Sequence, residues 1–197
     1  MTTTSISPTT LSSTTPGTVT TPGATVWLTG LPSAGKSTLA TAVAEQLRAA
    51  GRSVEILDGD AVRENLTAGL GFSRADRDTN VRRIGWVAAL LARHGVLVLV
   101  PVIAPYAAAR AAVRAGHEVV GAAYLEIHVA TNVDVCAERD VKGLYAKARA
   151  GELSGLTGVD DPYEEPVNPA LRLETAERPV AHAVTDLLEL LGSRALA

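Results

Sequence analysis

"TVWLTGLPSAGKSTLATAVAEQL", Thr25 to Leu47, decides the architecture of this chain. Its opening residues are apolar or β-branched and end at a glycine, as a buried strand does. Leu39, Val43 and Leu47 then recur every fourth residue, which predicts a helix over Ser37 to Ala50 stopped by Gly51. Between them, "GLPSAGKST" matches the phosphate-loop pattern G-x-x-x-x-G-K-[ST]. Gly30 and Gly35 permit the tight turns that aim successive N–H groups at phosphate oxygens. The helix that follows adds the positive end of its dipole. The loop from Gly30 through Leu31, Pro32, Ser33, Ala34, Gly35, Lys36 and Ser37 to Thr38 is therefore the expected cradle of a nucleoside triphosphate. Lys36 would reach the β- and γ-phosphates, and the Ser37 hydroxyl would bind Mg²⁺.

Outward from this unit, strand and helix alternate. "SVEILDGD" reads as a second strand ending in Asp58 and Asp60, and Val81, Ile84, Val87 and Leu91 make a helical stripe. "VLVLVPVI" is apolar on both faces, as a central parallel strand should be. A helix over Ala107 to Ala115, a strand at "AYLEIHVA", a short helix near Asn132 to Asp140 and a last one over Ala181 to Leu191 complete the pattern. Such alternation predicts an α/β fold in three layers, a parallel sheet with helices on both faces. Ligands in such folds lie beyond the carboxyl ends of the strands. Lys142 to Pro169 breaks the rhythm with glycines and prolines, and is expected to be a lid loop.

Composition narrows the function. The chain has 197 residues, of which 47% are apolar and few aromatic, so one domain over 24–197 with an Ala, Val and Leu core is expected. Residues 1–22 are Ser/Thr-rich with no charged side chain, and read as a disordered tail without the basic start or apolar stretch of a secretory signal. A net charge of -3 argues against nucleic-acid binding, and no run is long enough to span a membrane. The lone Cys136 fits a reducing, cytoplasmic setting and a buried position. Trp27 and Trp86 lie in apolar patterned segments and are expected in the core, while the four histidines show no metal-ligand spacing.

The chemistry then turns on "FSRADRDTNVRR", Phe72 to Arg83, where four arginines gather in a chain of negative charge. No N-K-x-D guanine signature accompanies the phosphate loop, so a kinase is the better expectation than a GTPase switch. Asp60 could bind a metal water or accept the acceptor hydroxyl's proton. It could instead cap the helix after "DGD", a role open also to Asp58. Arg63, Arg77 and Asn80 can converge on an anionic acceptor, with Phe72 offering a flat face to a base. Arg74, Arg82 and Arg83 could simply solvate a helix.

Taken together these stretches resemble the adenylylsulfate kinases. The resemblance runs from Ala24 to the last helix and rests on the phosphate loop, "DGDAVR", "FSRADRDTNVRR", "IAPYAAAR", "ERDVKGLYAKARAGEL" and "LTGVDDPYEEP", in that order. It implies transfer of the γ-phosphoryl of ATP to the 3′-hydroxyl of adenylyl sulfate. By that resemblance Lys36 and Asp60 are catalytic, Ser37 and Asp60 meet Mg²⁺, and Arg139 lies against the donor nucleotide. Arg63, Arg77 and Asn80 hold the phosphosulfate, and Phe72 and Leu156 flank the adenine. Ile103, Ala104, Lys142, Gly143 and Leu144 complete the acceptor side and its closure. A homodimer and a functional link to a separate ATP sulfurylase are also implied.

Two departures from the family pattern stand out. Ala104 occupies a position where many members carry a serine, so no phosphoenzyme can form there and direct transfer is the simplest route. Leu156 replaces a common phenylalanine, which removes a ring from the expected adenine sandwich. The rival readings are a phosphate-loop kinase for another small polar acceptor, and a catalytically silent nucleotide-binding regulator.

Overall fold

The computed structural model describes residues 21–176 and 178–197. The tail expected over 1–22 lies outside them except for its last two residues. Five strands form one all-parallel sheet: β1 (Ala24–Thr29), β2 (Val54–Ile56), β3 (Leu97–Val100), β4 (Ala123–Val129) and β5 (Leu171–Leu173), in the order β2-β3-β1-β4-β5. β1 sits between β3 and β4, so the connection leaving it opens at the point where strand order reverses. That is where a doubly wound sheet makes its ligand crevice.

Alternation along the strands sends residues to two separate cores. Val26, Leu28, Leu97 and Leu99 pack with α1 (Lys36–Ala49) and α7 (Val180–Ser193) on one face. Trp27, Val98 and Val100 face α3 (Arg74–Ala92) and α4 (Ala107–Val119) on the other. Trp27 is fully buried and its indole N–H donates to the Val102 carbonyl at 3.1 Å, so its one polar group is satisfied. Trp86 departs from expectation: on α3 it is 68% exposed. It lies next to the stripe of Val81, Ile84 and Ala88, rotated out of it by the helical period.

Three elements were not legible as drawn. α2 (Gly59–Glu64) follows "DGD", capped by Asp58, whose Oδ1 accepts from the Asp60 amide at 3.0 Å. Asp58 is therefore the cap and Asp60 is not. α6 (Leu144–Arg149) lies inside the expected lid loop; Asp140 accepts from the amides of Tyr145 and Ala146 at its start. β5 is three residues long with a central arginine, too short to show a period. α5 (Val133–Arg139) begins at Asn132, whose side chain accepts from Val135, close to the expected helix.

Candidate active site

The phosphate loop depends on backbone that only small residues tolerate. Gly30 has φ 154, and a Cβ there would stand 2.4 Å from the Val129 carbonyl oxygen of β4. Gly35, at φ 98, turns the chain into α1 as its N-cap. Ala34 is fully buried, and its carbonyl accepts from the hydroxyls of Thr131 and Thr175, tying the loop to the neighbouring strand ends. Lys36 folds over this loop and donates to the Gly30 and Leu31 carbonyls at 3.0 and 2.7 Å. Burial pulls its pKa down to about 8, against a smaller opposite pull from Asp58 and Asp60.

Beyond the loop opens a cleft of about 460 Å³. Of the residues expected to act, it gathers Pro32, Ser33, Gly35, Lys36, Ser37, Thr38, Asp60, Arg63, Phe72, Arg77, Asn80, Ile103, Ala104, Lys142, Leu144 and Leu156 along one wall or another. Four cations, Lys36, Arg63, Arg77 and Lys142, face it against two carboxylates, Asp58 and Asp60. The cleft is thus locally positive in a chain of net charge -3, which suits a polyanion.

Other expected residues stand outside the cleft. Gly30, Leu31 and Ala34 form the back of the phosphate loop, and Gly143 turns into α6 with φ 67. Arg139 lies beside the loop, with Nη1 4.0 Å from where a Gly35 Cβ would be, and its Nη2 donates to the Thr175 carbonyl at 2.5 Å.

The carboxylates divide differently from the sequence expectation. Ser37 donates to Asp58 Oδ2 at 2.7 Å, whereas Asp60 is in contact with the Lys142 ammonium. A hydroxyl and a carboxylate joined in this way form a hard oxygen pair, which fits Mg²⁺ held mainly by phosphates and water. Asp60 lines the same cleft two residues on and could complete that set. The strand-end "DGD" carries the signal for Asp58, since it sets two carboxylates two residues apart beside the phosphate loop.

Farther along the cleft Phe72 is 65% exposed, with the Arg63 guanidinium 4.3 Å from its ring centroid and that of Arg77 at 5.7 Å. Arg77 is nearly buried, and three of its donors are engaged: Nε to the Phe72 carbonyl, Nη1 to Thr157 Oγ1 and Nη2 to the Gly155 carbonyl, at 2.8, 3.0 and 2.6 Å. It ties α3 to the segment carrying Leu156, leaving two of its five N–H groups. Asn80 is 5% exposed and its Oδ1 has no hydrogen-bond partner among the described residues. Arg74, expected to solvate its helix, lies over the Tyr106 ring at 4.2 Å.

The expected lid is strapped down along its second half. Asp160 accepts from the amides of Gly155 and Leu156, and Tyr106 donates to Asp161. Tyr163 meets the Thr29 hydroxyl at 2.9 Å, and Glu164 Oε2 accepts from the Ala107 amide at 2.7 Å. Arg110, 2% exposed, joins three of these parts: Nε to Glu126 of β4, Nη1 to the Ala104 carbonyl, Nη2 to the Glu164 carbonyl, at 2.5, 2.7 and 2.6 Å. It went unremarked in the sequence, although it is the only charge in "IAPYAAAR".

A sequence model of the family described as Adenylylsulphate kinase matches residues 22–174. The chain belongs to that family. An adenylyl-sulfate kinase of Synechococcus sp. (strain JA-2-3B'a(2-13)) is 53% identical over 172 residues, covering 87% of this chain and 96% of the relative. Another, of Deinococcus deserti, is 56% identical over 173 residues, covering 88% and 93%. The structure of the Mycobacterium tuberculosis APS kinase in complex with AMPPNP and APS superposes with a TM-score of 0.84 at 47% identity, over 87% of this chain and 98% of that one. The family kinship gives the α/β phosphate-loop architecture described above its functional frame, that of a kinase.

Proposed function

We propose that this chain is an ATP-dependent adenylylsulfate kinase, moving the γ-phosphoryl of ATP to the 3′-hydroxyl of adenosine 5′-phosphosulfate and releasing ADP and 3′-phosphoadenylyl sulfate. The observation that carries the reading is the single cleft that joins a phosphate loop to an exposed aromatic ring bracketed by two arginines. A phosphate loop alone would say only that a nucleotide binds. Phe72 with Arg63 and Arg77 adds an acceptor with both a base and an anion.

The roles follow from position. The loop N–H groups and Lys36 hold the donor phosphates, and Arg139 borders the donor nucleotide. Ser37, Asp58 and Asp60 would hold Mg²⁺, which neutralises phosphate charge when bound. Asp60 takes the proton of the 3′-hydroxyl as the new O–P bond forms and the bond between the β- and γ-phosphoryls breaks. Arg63, the free N–H groups of Arg77 and the amide of Asn80 grip the phosphosulfate. Phe72 and Leu156 enclose the adenine, with Ile103, Ala104 and Leu144 as the remaining wall. Lys142 moves with the first part of the lid over 142–169, ahead of its strapped second half, and its contact with Asp60 opens so that the carboxylate can accept a proton. Ala104 offers no hydroxyl, so transfer is direct and in line.

No helix among the described residues is long and apolar enough to cross a membrane. A cytoplasmic setting, assembly as a homodimer and supply of the acceptor by a separate ATP sulfurylase belong to the same reading. Product analysis tests it: with Mg-ATP, adenylyl sulfate should yield 3′-phosphoadenylyl sulfate, while AMP and gluconate yield nothing comparable. Turnover on gluconate instead would favour a kinase for another polar acceptor, and binding of ATP with no acceptor-dependent turnover would favour a silent regulator.

A further inference from the structure

Thr29 is the last residue of β1, and its buried hydroxyl stands between the two loops that the reaction must bring together. The β1–β3 ladder ends at the pair Trp27 and Val100. Beyond it β1 runs into the phosphate loop at Gly30, and β3 runs into the cleft wall at Ile103 and Ala104. Two side chains take over from the backbone there. The Trp27 indole donates to the Val102 carbonyl, and one step nearer both loops the Thr29 hydroxyl donates to the Ile103 carbonyl at 2.5 Å.

Chemistry fixes the protons on this bridge. A carbonyl can only accept, so Thr29 gives its one proton to Ile103, and the Tyr163 hydroxyl, 2.9 Å away, must donate to Thr29 Oγ1. Burial pushes the Tyr163 pKa up to about 12, so the phenol keeps that proton at neutral pH. The chain therefore runs one way, from Tyr163 through Thr29 to Ile103. The strapped segment that carries Tyr163 also touches both loops. Gly158 lies against the phosphate loop, where a Cβ would stand 2.5 Å from Leu31 Cδ2, and the Glu164 amide donates to the Pro105 carbonyl at 2.8 Å. Each loop has holds of its own as well, the phosphate loop at Ala34 through Thr131 and Thr175, the other at Ala104 through Arg110. Loss of the Thr29 hydroxyl would leave those holds in place and release the spacing between the loops.

We infer that Thr29 is a positioning residue for phosphoryl transfer: its hydroxyl, oriented by Tyr163, holds the phosphate loop and the Ile103 carbonyl at the spacing that puts the γ-phosphoryl in line with the acceptor hydroxyl. The inference rests on the adenylylsulfate kinase reading and adds to it two residues outside the cleft lining. A reaction whose barrier falls chiefly through placement and charge neutralisation is sensitive to such a spacing.

The test is the rate of the transfer step in single turnover with Mg-ATP and adenylyl sulfate both saturating, with the affinity for each and the thermal midpoint measured beside it. Thr29→Val keeps the shape and removes the hydroxyl. It should slow transfer about ten- to a hundredfold, with each affinity within about twofold of the wild type. Thr29→Ser should transfer at the wild-type rate. Tyr163→Phe should slow transfer less, and added to Thr29→Val it should cost nothing further, since Tyr163 acts through Thr29. A Thr29→Val variant with a lower midpoint and an unchanged transfer rate would make the hydroxyl merely structural and overturn the inference. A loss confined to the affinity for one substrate, or additive losses in the double variant, would overturn it too. Should Thr29→Val fail to fold, Tyr163→Phe decides, and transfer at the wild-type rate overturns the inference. A wild type that transfers nothing to adenylyl sulfate would instead overturn the kinase reading, and the inference with it.

Discussion

Ser37 of the phosphate loop donates to Asp58 Oδ2 at 2.7 Å, while Oδ1 of the same carboxylate caps α2 by accepting from the Asp60 amide at 3.0 Å. One side chain thereby fixes the donor site against the element that carries the expected base. Asp58→Asn keeps an oxygen for the cap but removes the charge facing the metal. It should leave folding almost unchanged and raise the Mg²⁺ concentration needed for half-maximal turnover about tenfold or more. Asp58→Ala should in addition cost about 1 kcal/mol of stability through the lost cap. A Mg²⁺ titration of the asparagine variant that overlays the wild type would remove Asp58 from the metal site.

Lys36 gives a pH dependence with a definite sign. Burial holds its pKa at about 8 in the free protein, so the ammonium loses its proton as pH rises past that value. Phosphate oxygens beside it favour the charged form and raise the pKa in the complex. Binding of ATP should therefore take up a proton between about pH 8 and the ordinary lysine range near 10.4. Affinity should be level below pH 8 and fall above it, by at most about tenfold per pH unit for one proton. Calorimetry in buffers of different ionisation enthalpy measures the uptake directly. Proton release, or none, would contradict the placement of Lys36 on the phosphates.

Leu156 is 6% exposed and lines the same cleft as the protruding ring of Phe72. An aliphatic wall excludes water but does not stack. Leu156→Phe should tighten the acceptor by about 1–3 kcal/mol, roughly five- to 150-fold in KM for adenylyl sulfate, with KM for ATP unchanged. Equal acceptor affinity in the two proteins would mean that residue 156 does not meet the adenine.

Arg110 reaches the acceptor loop at Ala104, the strap at Glu164 and the sheet at Glu126 from one buried position. Ala104 has φ 45, a left-handed conformation that alanine seldom adopts and that its carbonyl bond to Arg110 helps hold. Arg110→Met should destabilise the fold, by about 3 kcal/mol or less, because the buried Glu126 loses its shorter partner and keeps only Arg114, at 3.1 Å. Adding Glu126→Leu should recover much of that stability. The acceptor KM should stay raised in the double variant while the ATP KM stays near normal, because the Ala104 and Glu164 contacts remain lost. Recovery of both stability and acceptor KM would reduce Arg110 to a structural role.

Sequence carried the parts of this account that have a short period or a fixed spacing. The phosphate loop is contiguous, so its turn from Gly30 to Ser37 could be read directly, and the alternation of β1 and β3 sends Trp27 and Val98 to one core and Val26 and Leu97 to the other. Contacts across long loops left no such trace. Nothing in the spacing of Arg77 and Thr157, or of Thr29 and Tyr163, announces that they bond. The expected lid hid α6 because a six-residue helix shows less than two turns of periodicity. Trp86 misled for a physical reason: an indole in an apolar segment is read as core, and the neighbouring stripe of Ile84 and Ala88 already fills that face.

The most direct test of the central claim is ADP release from Mg-ATP by the Asp60→Asn variant beside the wild type, with adenylyl sulfate as acceptor and ATP binding measured on both. Positioned proton transfer contributes roughly 10²- to 10⁴-fold, so the variant should bind ATP normally and lose acceptor-dependent turnover by about that factor. Wild-type turnover from Asp60→Asn would contradict the assignment of Asp60 as the base that serves the 3′-hydroxyl.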